Sequence, residues 1–169
     1  HFEQMLYDNA LLVPAYLEAY QVTGREDFAE VARDILRYVE RDMTSPDGAF
    51  YSATDADSPG PDGEREEGLF FTWTPDEIAA VLDEEPARVV SAYYGVTDDG
   101  NFEGRSILHT PRPLPGVAAE LDIPEDSLRR TIAEARERLY AARATRPPPL
   151  RDDKILTAWN GLMISALAQ

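Results

Sequence analysis

The stretch Met5-Leu6-Tyr7-Asp8-Asn9-Ala10-Leu11-Leu12-Val13-Pro14-Ala15-Tyr16-Leu17-Glu18-Ala19-Tyr20 decides the fold class. Met5, Leu6, Leu12, Val13, Tyr16, Leu17 and Tyr20 fall at helical spacing and make one apolar face. Pro14 inside the run predicts a kink or a local adjustment, and Gly24 predicts the stop. Residues 26–43 repeat the pattern with Phe28, Val31, Ala32, Ile35, Tyr38 and Val39 facing inward. A link as short as 21–25 makes the two runs an antiparallel helical hairpin.

Working outward, Ser45-Pro46-Asp47-Gly48 is a turn signal, and the aromatic, β-prone runs 49–52 and 69–73 read as two short strands flanking a long acidic loop. Thr74-Pro75-Asp76-Glu77 has the form of a capping box with proline at the first helical position. It predicts a short helix to about residue 82, followed by another over about 86–94 that ends at Gly95. Residues 96–123 are rich in proline and glycine and read as loop, with Ile107 and Leu108 an edge strand. Leu128, Ile132, Ala135 and Leu139 mark a helix over about 124–143, which Arg146-Pro147-Pro148-Pro149 breaks. A last helix starts near Lys154, with Ile155, Leu156, Trp159, Leu162, Met163, Ala166 and Leu167 at helical spacing. The fold class is therefore mainly α.

An internal echo joins the two ends of the chain. Asn9-Ala10-Leu11-Leu12-Val13 lines up with Asn160-Gly161-Leu162-Met163-Ile164, and Ala15 with Ala166. Such a repeat is expected of helical hairpins that recur around an axis, as in a toroid. The chain opens without an initiator methionine and closes inside an apolar-periodic run, which is the expectation for an excerpt of a longer protein.

Composition narrows the function. The 169 residues are 43% hydrophobic, enough for a core, and carry a net charge of −16 at pH 7. That charge opposes nucleic-acid binding, which needs a basic surface. Lys154 is the one lysine among 16 basic residues. Arginine dominance with an acid excess fits both a salt-adapted surface and the codon bias of a GC-rich genome. Without cysteine, disulfide, thiolate-zinc and thiol chemistry are excluded from this stretch. No apolar run is long enough for a bilayer and no secretory pattern opens the chain, so the expectation is a cytoplasmic protein with no membrane partner. GxSxG, HExxH, Walker and dinucleotide glycine patterns are all missing, which argues against serine hydrolases, zincins and nucleotide enzymes.

Three stretches carry chemistry. In the first, His1 and Asp8 lie close to one helical stripe beside Glu3 and Asn9, and a histidine next to carboxylates suits proton transfer. The competing reading is a frayed terminus with Asp8 or Asn9 as a capping group. In the second, Tyr51 leads into Asp55-Ala56-Asp57. An extended backbone there projects both acids to one side, about 6.5–7 Å apart at Cβ. That is close to the carboxylate separation that activates water at a glycosidic centre. Tyr51, Phe70 or Trp73 supplies a face for a sugar ring; ordinary turn formation is the alternative. Asp55, Asp57, Gly60 and Glu66 also match positions 1, 3, 6 and 12 of a calcium loop, but Pro59 at position 5 and a preceding strand speak against a metal site. In the third, Asp152-Asp153-Lys154 precedes Trp159-Asn160-Gly161 and places carboxylates, a cation and an amide around a polar ligand, or else an N-cap before a core helix. His109 takes no assignment.

Taken in order, His1-Phe2-Glu3-Gln4-Met5-Leu6-Tyr7-Asp8-Asn9, Phe50-Tyr51-Ser52 with Asp55-Ala56-Asp57-Ser58, Asn101-Phe102-Glu103-Gly104, and Asp152-Asp153-Lys154 with Trp159-Asn160-Gly161-Leu162 resemble the thioredoxin-domain-containing family related to spermatogenesis-associated protein 20. Gln4, Thr54 and Leu150 depart from the usual family residues. The resemblance implies a covalently linked thioredoxin-like domain outside this stretch. It also implies an (α/α)6 toroid similar to six-hairpin glycosidases and N-acylglucosamine 2-epimerases, of which residues 1–169 are a partial, single excerpt with an inserted short β-hairpin.

The resulting expectation is a carbohydrate-active or carbohydrate-binding toroid with glycosidase- or epimerase-like acid/base chemistry. Asp55, Asp57 and His1 are the candidate catalytic groups. Glu3, Asp8, Asn9, Tyr51, Trp73, Asp152, Asp153, Lys154 and Asn160 are the candidate substrate contacts, with no cofactor and no metal. The alternative is a non-catalytic helical scaffold that presents a thioredoxin-like domain to partner proteins.

Overall fold

The computed structural model describes Phe2–Gln169. In chain order its elements are β1 (Gln4–Met5), α1 (Leu6–Thr23), α2 (Glu26–Tyr38), a π-helical turn (Val39–Met43), β2 (Ala53–Thr54), β3 (Asp57–Pro59), β4 (Arg65–Glu67), α3 (Pro75–Val81), α4 (Glu84–Tyr94), α5 (Leu114–Leu121), α6 (Glu125–Arg143), β5 (Arg151–Asp152) and α7 (Thr157–Leu167). Among the described residues the chain is mainly helical, with small antiparallel sheets. It forms two compact units: one combines the segment ending at Asp57 with Pro149–Gln169, and the other is Ser58–Pro148.

In the first unit α1 packs on α2, as the apolar periodicity predicts, and also on α7. Gly24 closes α1 at φ +66°, a left-handed conformation that costs glycine little, and its N–H donates to the Tyr20 carbonyl at 2.7 Å. Pro14 does not end α1, which continues to Thr23. Leu6, Ala10 and Val13 of α1 meet Met163 and Ala166 of α7, with Val39 and Met43 completing the cluster. Fully burying a side chain such as Leu6 or Met43 contributes about 1.5–3 kcal/mol. The helix expected over 26–43 is α only to Tyr38; its last residues widen into the π turn, where the Thr44 hydroxyl donates to the Val39 carbonyl at 2.9 Å.

The strand expected over 49–52 forms only just beyond it, as β2. β2 is the middle of a three-stranded sheet, antiparallel to β1 (Gln4 opposite Thr54) and to β5 (Ala53 opposite Asp152). Residues 49–52 are tied instead by a bridge from Phe50 to Thr44 and by the Tyr51 N–H donating to the Met43 carbonyl at 2.7 Å.

In the second unit α6 packs against α3, α4 and α5. One core cluster holds Trp73, Ile78, Leu82, Val90 and Leu139, and another holds Val89, Val117, Leu128 and Ile132. The capping box forms as predicted: the Glu77 N–H donates to Thr74 Oγ1 at 3.2 Å and the Thr74 N–H to Glu77 Oε2 at 2.9 Å. α5 lies in the segment expected to be loop. Its prolines, Pro113 at the N-cap and Pro115 in the first turn, sit where no helical N–H is needed, so they start a helix rather than break one.

Residues 69–73 are not the expected strand. The Phe71 and Thr72 N–H groups both turn back to the Gly68 carbonyl at 3.0 Å, and only Trp73 pairs, in a bridge to Ser106. Ile107 and Leu108 form no strand; that bridge takes the place of the expected edge pairing. The acidic loop folds as the β3–β4 hairpin, with the Gly60 N–H donating to the Glu64 carbonyl at 2.7 Å.

What holds the 69–73 turn is a half-buried ion cluster. Arg146 Nη1 donates to the carbonyls of Leu69 (3.2 Å), Phe70 (3.0 Å) and Thr72 (2.7 Å), and its guanidinium lies 4.1 Å from the Trp73 ring centroid. Arg105 Nε donates to Thr72 Oγ1 at 2.8 Å and Nη2 to the Thr72 carbonyl at 3.0 Å. Both arginines reach Glu77, Arg105 at 2.6 Å and Arg146 at 3.3 Å. Burial pushes the Glu77 carboxyl up, but the Arg105 and Thr74 hydrogen bonds and the two cationic charges outweigh it and hold the group below its usual value.

Candidate functional site

Three segments far apart in sequence meet on the sheet of the first unit. β1 carries Gln4 and directly follows Glu3, β2 directly precedes Asp55, and β5 supplies Asp152. The Asp55 N–H donates to the Leu150 carbonyl at 2.8 Å, and both the Ser52 N–H and its hydroxyl donate to the Asp152 carbonyl at 3.1 Å. Backbone pairing therefore brings three of the acids that the sequence singled out to one small sheet, Glu3 and Asp55 at the Thr54 end of β2 and Asp152 opposite Ala53 at the other end.

Each candidate has a definite environment. The extended geometry expected from Asp55 to Asp57 is interrupted by a bend at buried Ala56, so the two acids leave separate strands. The Asp57 N–H lies 3.5 Å from Asp55 Oδ1, as in an Asx turn. Both side chains are half-buried. Tyr51 is covered on one face by the Arg151 guanidinium, 4.0 Å from the ring centroid, while Arg151 Nε donates to Asp153 Oδ1 at 2.6 Å. That Asp153 bond pushes the Arg151 guanidinium further up. Lys154 Nζ donates to Asp152 at 3.1 Å, and the Lys154 side chain, followed by its backbone N–H, holds the Asp152 carboxyl below its usual range. All four charged groups of this run, Arg151 to Lys154, reach solvent.

Other candidates are committed to the fold. Asn160 Nδ2 donates to the Phe50 carbonyl at 2.9 Å while its Oδ1 accepts from the Phe50 N–H at 2.8 Å, so one carboxamide stands in for a β partner. Its Nδ2 also reaches the Leu156 carbonyl at 3.1 Å. Buried Asn9 donates to the Met5 carbonyl at 2.8 Å. Asn9 and Asn160 are each the fourth residue of their helix, and each donates to the residue just before it. The sequence echo thus has a local structural counterpart. Glu3 and Asp8 are exposed.

Trp73 corrects the sequence reading. It belongs to the second unit and is 3% exposed, with Arg146 against its ring and Ile78, Val90 and Leu139 in its cluster, so no face is left for a sugar. His1 lies outside the described residues. Among the described residues no group of three or more His, Cys, Asp or Glu side chains is placed to hold a metal ion, and no helix is long and apolar enough to cross a membrane. Residues the sequence reading passed over are Arg105 and Arg146. Glu77 registers in sequence only as half of a capping box, and nothing periodic links it to positions 28 and 69 residues away.

No family model matches the chain. It is 38% identical over 188 aligned positions to spermatogenesis-associated protein 20 of Homo sapiens, in an alignment covering 99% of this chain and 24% of that protein. It is 37% identical to the protein of the same name from Mus musculus, again over 24% of its length. An uncharacterized protein of Caenorhabditis elegans is 33% identical over 189 positions, 26% of its length. The chain is thus homologous along its whole length to these proteins and spans about a quarter of the length of each.

Proposed function

We propose that this chain is part of a carbohydrate-handling (α/α)6 toroid within a larger cytoplasmic protein that also bears a thioredoxin-like domain. The observation that carries the reading is the convergence of Glu3, Asp55 and Asp152 on one three-stranded sheet. Asp55 and Asp57 serve as the acid/base pair, and Asp152 with Lys154 orients sugar hydroxyls. Tyr51 supplies a ring for a sugar to stack on. His1 as a proton shuttle rests on the sequence alone. Further support comes from the helical hairpin, from the paired Asn9 and Asn160 motifs, and from apolar side chains exposed on α1 and α7, among them Leu11, Ile164 and Leu167. Additional hairpins of a toroid would cover them. Fold resemblance alone does not fix chemistry, so the test is chemical. The intact protein is assayed against a panel of glycosides and amino sugars. Loss of turnover or binding in Asp55→Ala/Asp57→Ala sustains the reading, and equal behaviour of wild type and variant ends it.

A second reading, a non-catalytic scaffold for the thioredoxin-like domain, is favoured by one specific observation. Asn160 and Asp152 already spend their polar atoms on Phe50, Leu156 and Lys154. Under that reading Asp55→Ala/Asp57→Ala alters no sugar binding, while substitutions at Asn160 alter stability.

A further inference from the structure

The second unit carries a half-open cavity of about 280 Å³ that the sugar reading does not use. Arg105, Arg146 and Glu77 supply its charged lining, and Pro61, Leu69 and Phe70 are among its apolar lining. We propose that this cavity binds a small carboxylic acid with a single ring-sized apolar body. Its carboxylate is received by the two guanidinium groups and its ring packs against Phe70 and Leu69.

Charge selects the ligand class. At the arginine pair two guanidinium groups face one carboxylate, Glu77, a local surplus of one positive charge, while the Asp62 and Glu66 carboxylates stand beside Gly60 of the same lining, in a chain whose net charge is −16. A monoanion neutralises that local surplus; a phosphate dianion would overshoot it beside two further carboxylates, which is costly where charges are poorly hydrated. Volume agrees, because 280 Å³ is at the small end of ligand pockets and fits one ring rather than a nucleotide. Donor capacity remains as well. Arg105 bonds through Nε and Nη2, and Arg146 through Nη1 and Nη2. Arg105 Nη1 and Arg146 Nε have no hydrogen-bond acceptor among the described residues. The bonds already made hold both planar groups in place, so an incoming carboxylate meets a preorganised pair and little side-chain freedom is lost. The half-buried setting, with Arg105 and Arg146 side chains 21% and 19% exposed, strengthens the charge-assisted bonds.

The test titrates benzoate, its neutral isostere benzamide and inorganic phosphate into the full chain, followed by backbone and arginine Nε NMR shifts. Benzoate is expected to saturate, with shifts at Leu69, Phe70, Arg105 and Arg146. Benzamide is expected to bind at least about tenfold more weakly, the loss of a charge-assisted pair. Removing either arginine would also unsettle the 69–73 turn, so the decisive variant is Pro61→Glu, which adds a negative charge at an exposed lining position. It should weaken benzoate at least about tenfold with an unchanged melting temperature. Equal binding of benzoate and benzamide, tighter binding of phosphate, no saturation by about 10 mM benzoate, or an unaffected Pro61→Glu variant would each overturn the proposal. None of these outcomes bears on the sheet of the first unit, so the sugar reading stands or falls separately.

Discussion

Replacing Asn160 by alanine isolates the role of its carboxamide. In the folded chain that group donates to the Phe50 carbonyl at 2.9 Å and accepts from the Phe50 N–H at 2.8 Å, with a weaker donation to Leu156 at 3.1 Å. Truncation leaves a part-buried N–H and a part-buried carbonyl of Phe50 unpaired. A buried polar group left without a partner costs about 1–3 kcal/mol. Partial access of water to Phe50 reduces that for each group, so the expected loss is about 2–3 kcal/mol in all. For a chain of this size that lowers the melting temperature by roughly 4–12 °C. Urea denaturation measures the free energy, and amide hydrogen exchange at Phe50 localises it, because the Phe50 N–H should exchange faster while amides in α4 and α6 do not change. The companion Asn9→Ala loses one bond, to Met5, and should cost about 1 kcal/mol. A loss below about 0.5 kcal/mol for Asn160→Ala, with Phe50 exchange unaltered, would refute the β-partner role and return Asn160 to the list of ligand contacts.

Acid should find Glu77 next. Its folded-state pKa lies below the ordinary 4.5, so its contribution to stability is present above that value and is lost as pH falls through the folded pKa. Glu77→Gln should therefore be less stable than wild type at neutral pH and show a flatter decline below about pH 4.5, read by thermal melts across pH; parallel curves would contradict this. Lys154→Ala should let the Asp152 carboxyl titrate closer to its usual range in a side-chain NMR titration, with little change in melting temperature, since the pair faces solvent. Gly100→Ala should be severe: its Cβ would stand 2.2 Å from the Arg105 carbonyl oxygen. The left-handed φ of +66° adds about 1–2 kcal/mol. Chemical denaturation should show the largest loss of the set, and a loss under about 1 kcal/mol would mean the 100–105 turn relaxes easily.

How far the sequence could be read depends on range. The α1–α2 pair and α6 were legible because a 3.6-residue rhythm is a local signal, and Thr74 to Glu77 because a capping box closes within one turn. Residues 69–73 misled because aromatic β-propensity is weak against three carbonyls captured by Arg146, a residue more than seventy positions away from each of Leu69, Phe70 and Thr72 in sequence. Prolines hid α5, because composition does not say whether Pro115 lies inside a helix or at its first turn. In the candidate site, the sequence singled out Glu3, Asp55 and Asp152 one by one, but the sheet that pairs their distant segments is non-local and leaves no mark in the sequence. The bend at Ala56 leaves none either, since an Asp-Ala-Asp run looks the same whether extended or turned. Trp73 was misplaced for a related reason: an aromatic residue carries no mark in sequence that separates a ring offered to solvent from one held in a core.

The middle strand of the small sheet has a consequence for how this protein could be altered. Asp55 hydrogen-bonds to Leu150, and Thr54 pairs with Arg151, so the chain departs from the first unit and returns to it at neighbouring points. In sequence, Ser58–Pro148 is therefore one continuous insertion into the first unit, whose two segments the Asp55–Leu150 and Thr54–Arg151 pairings join. The ends of that insertion are a natural place for related chains to differ in length.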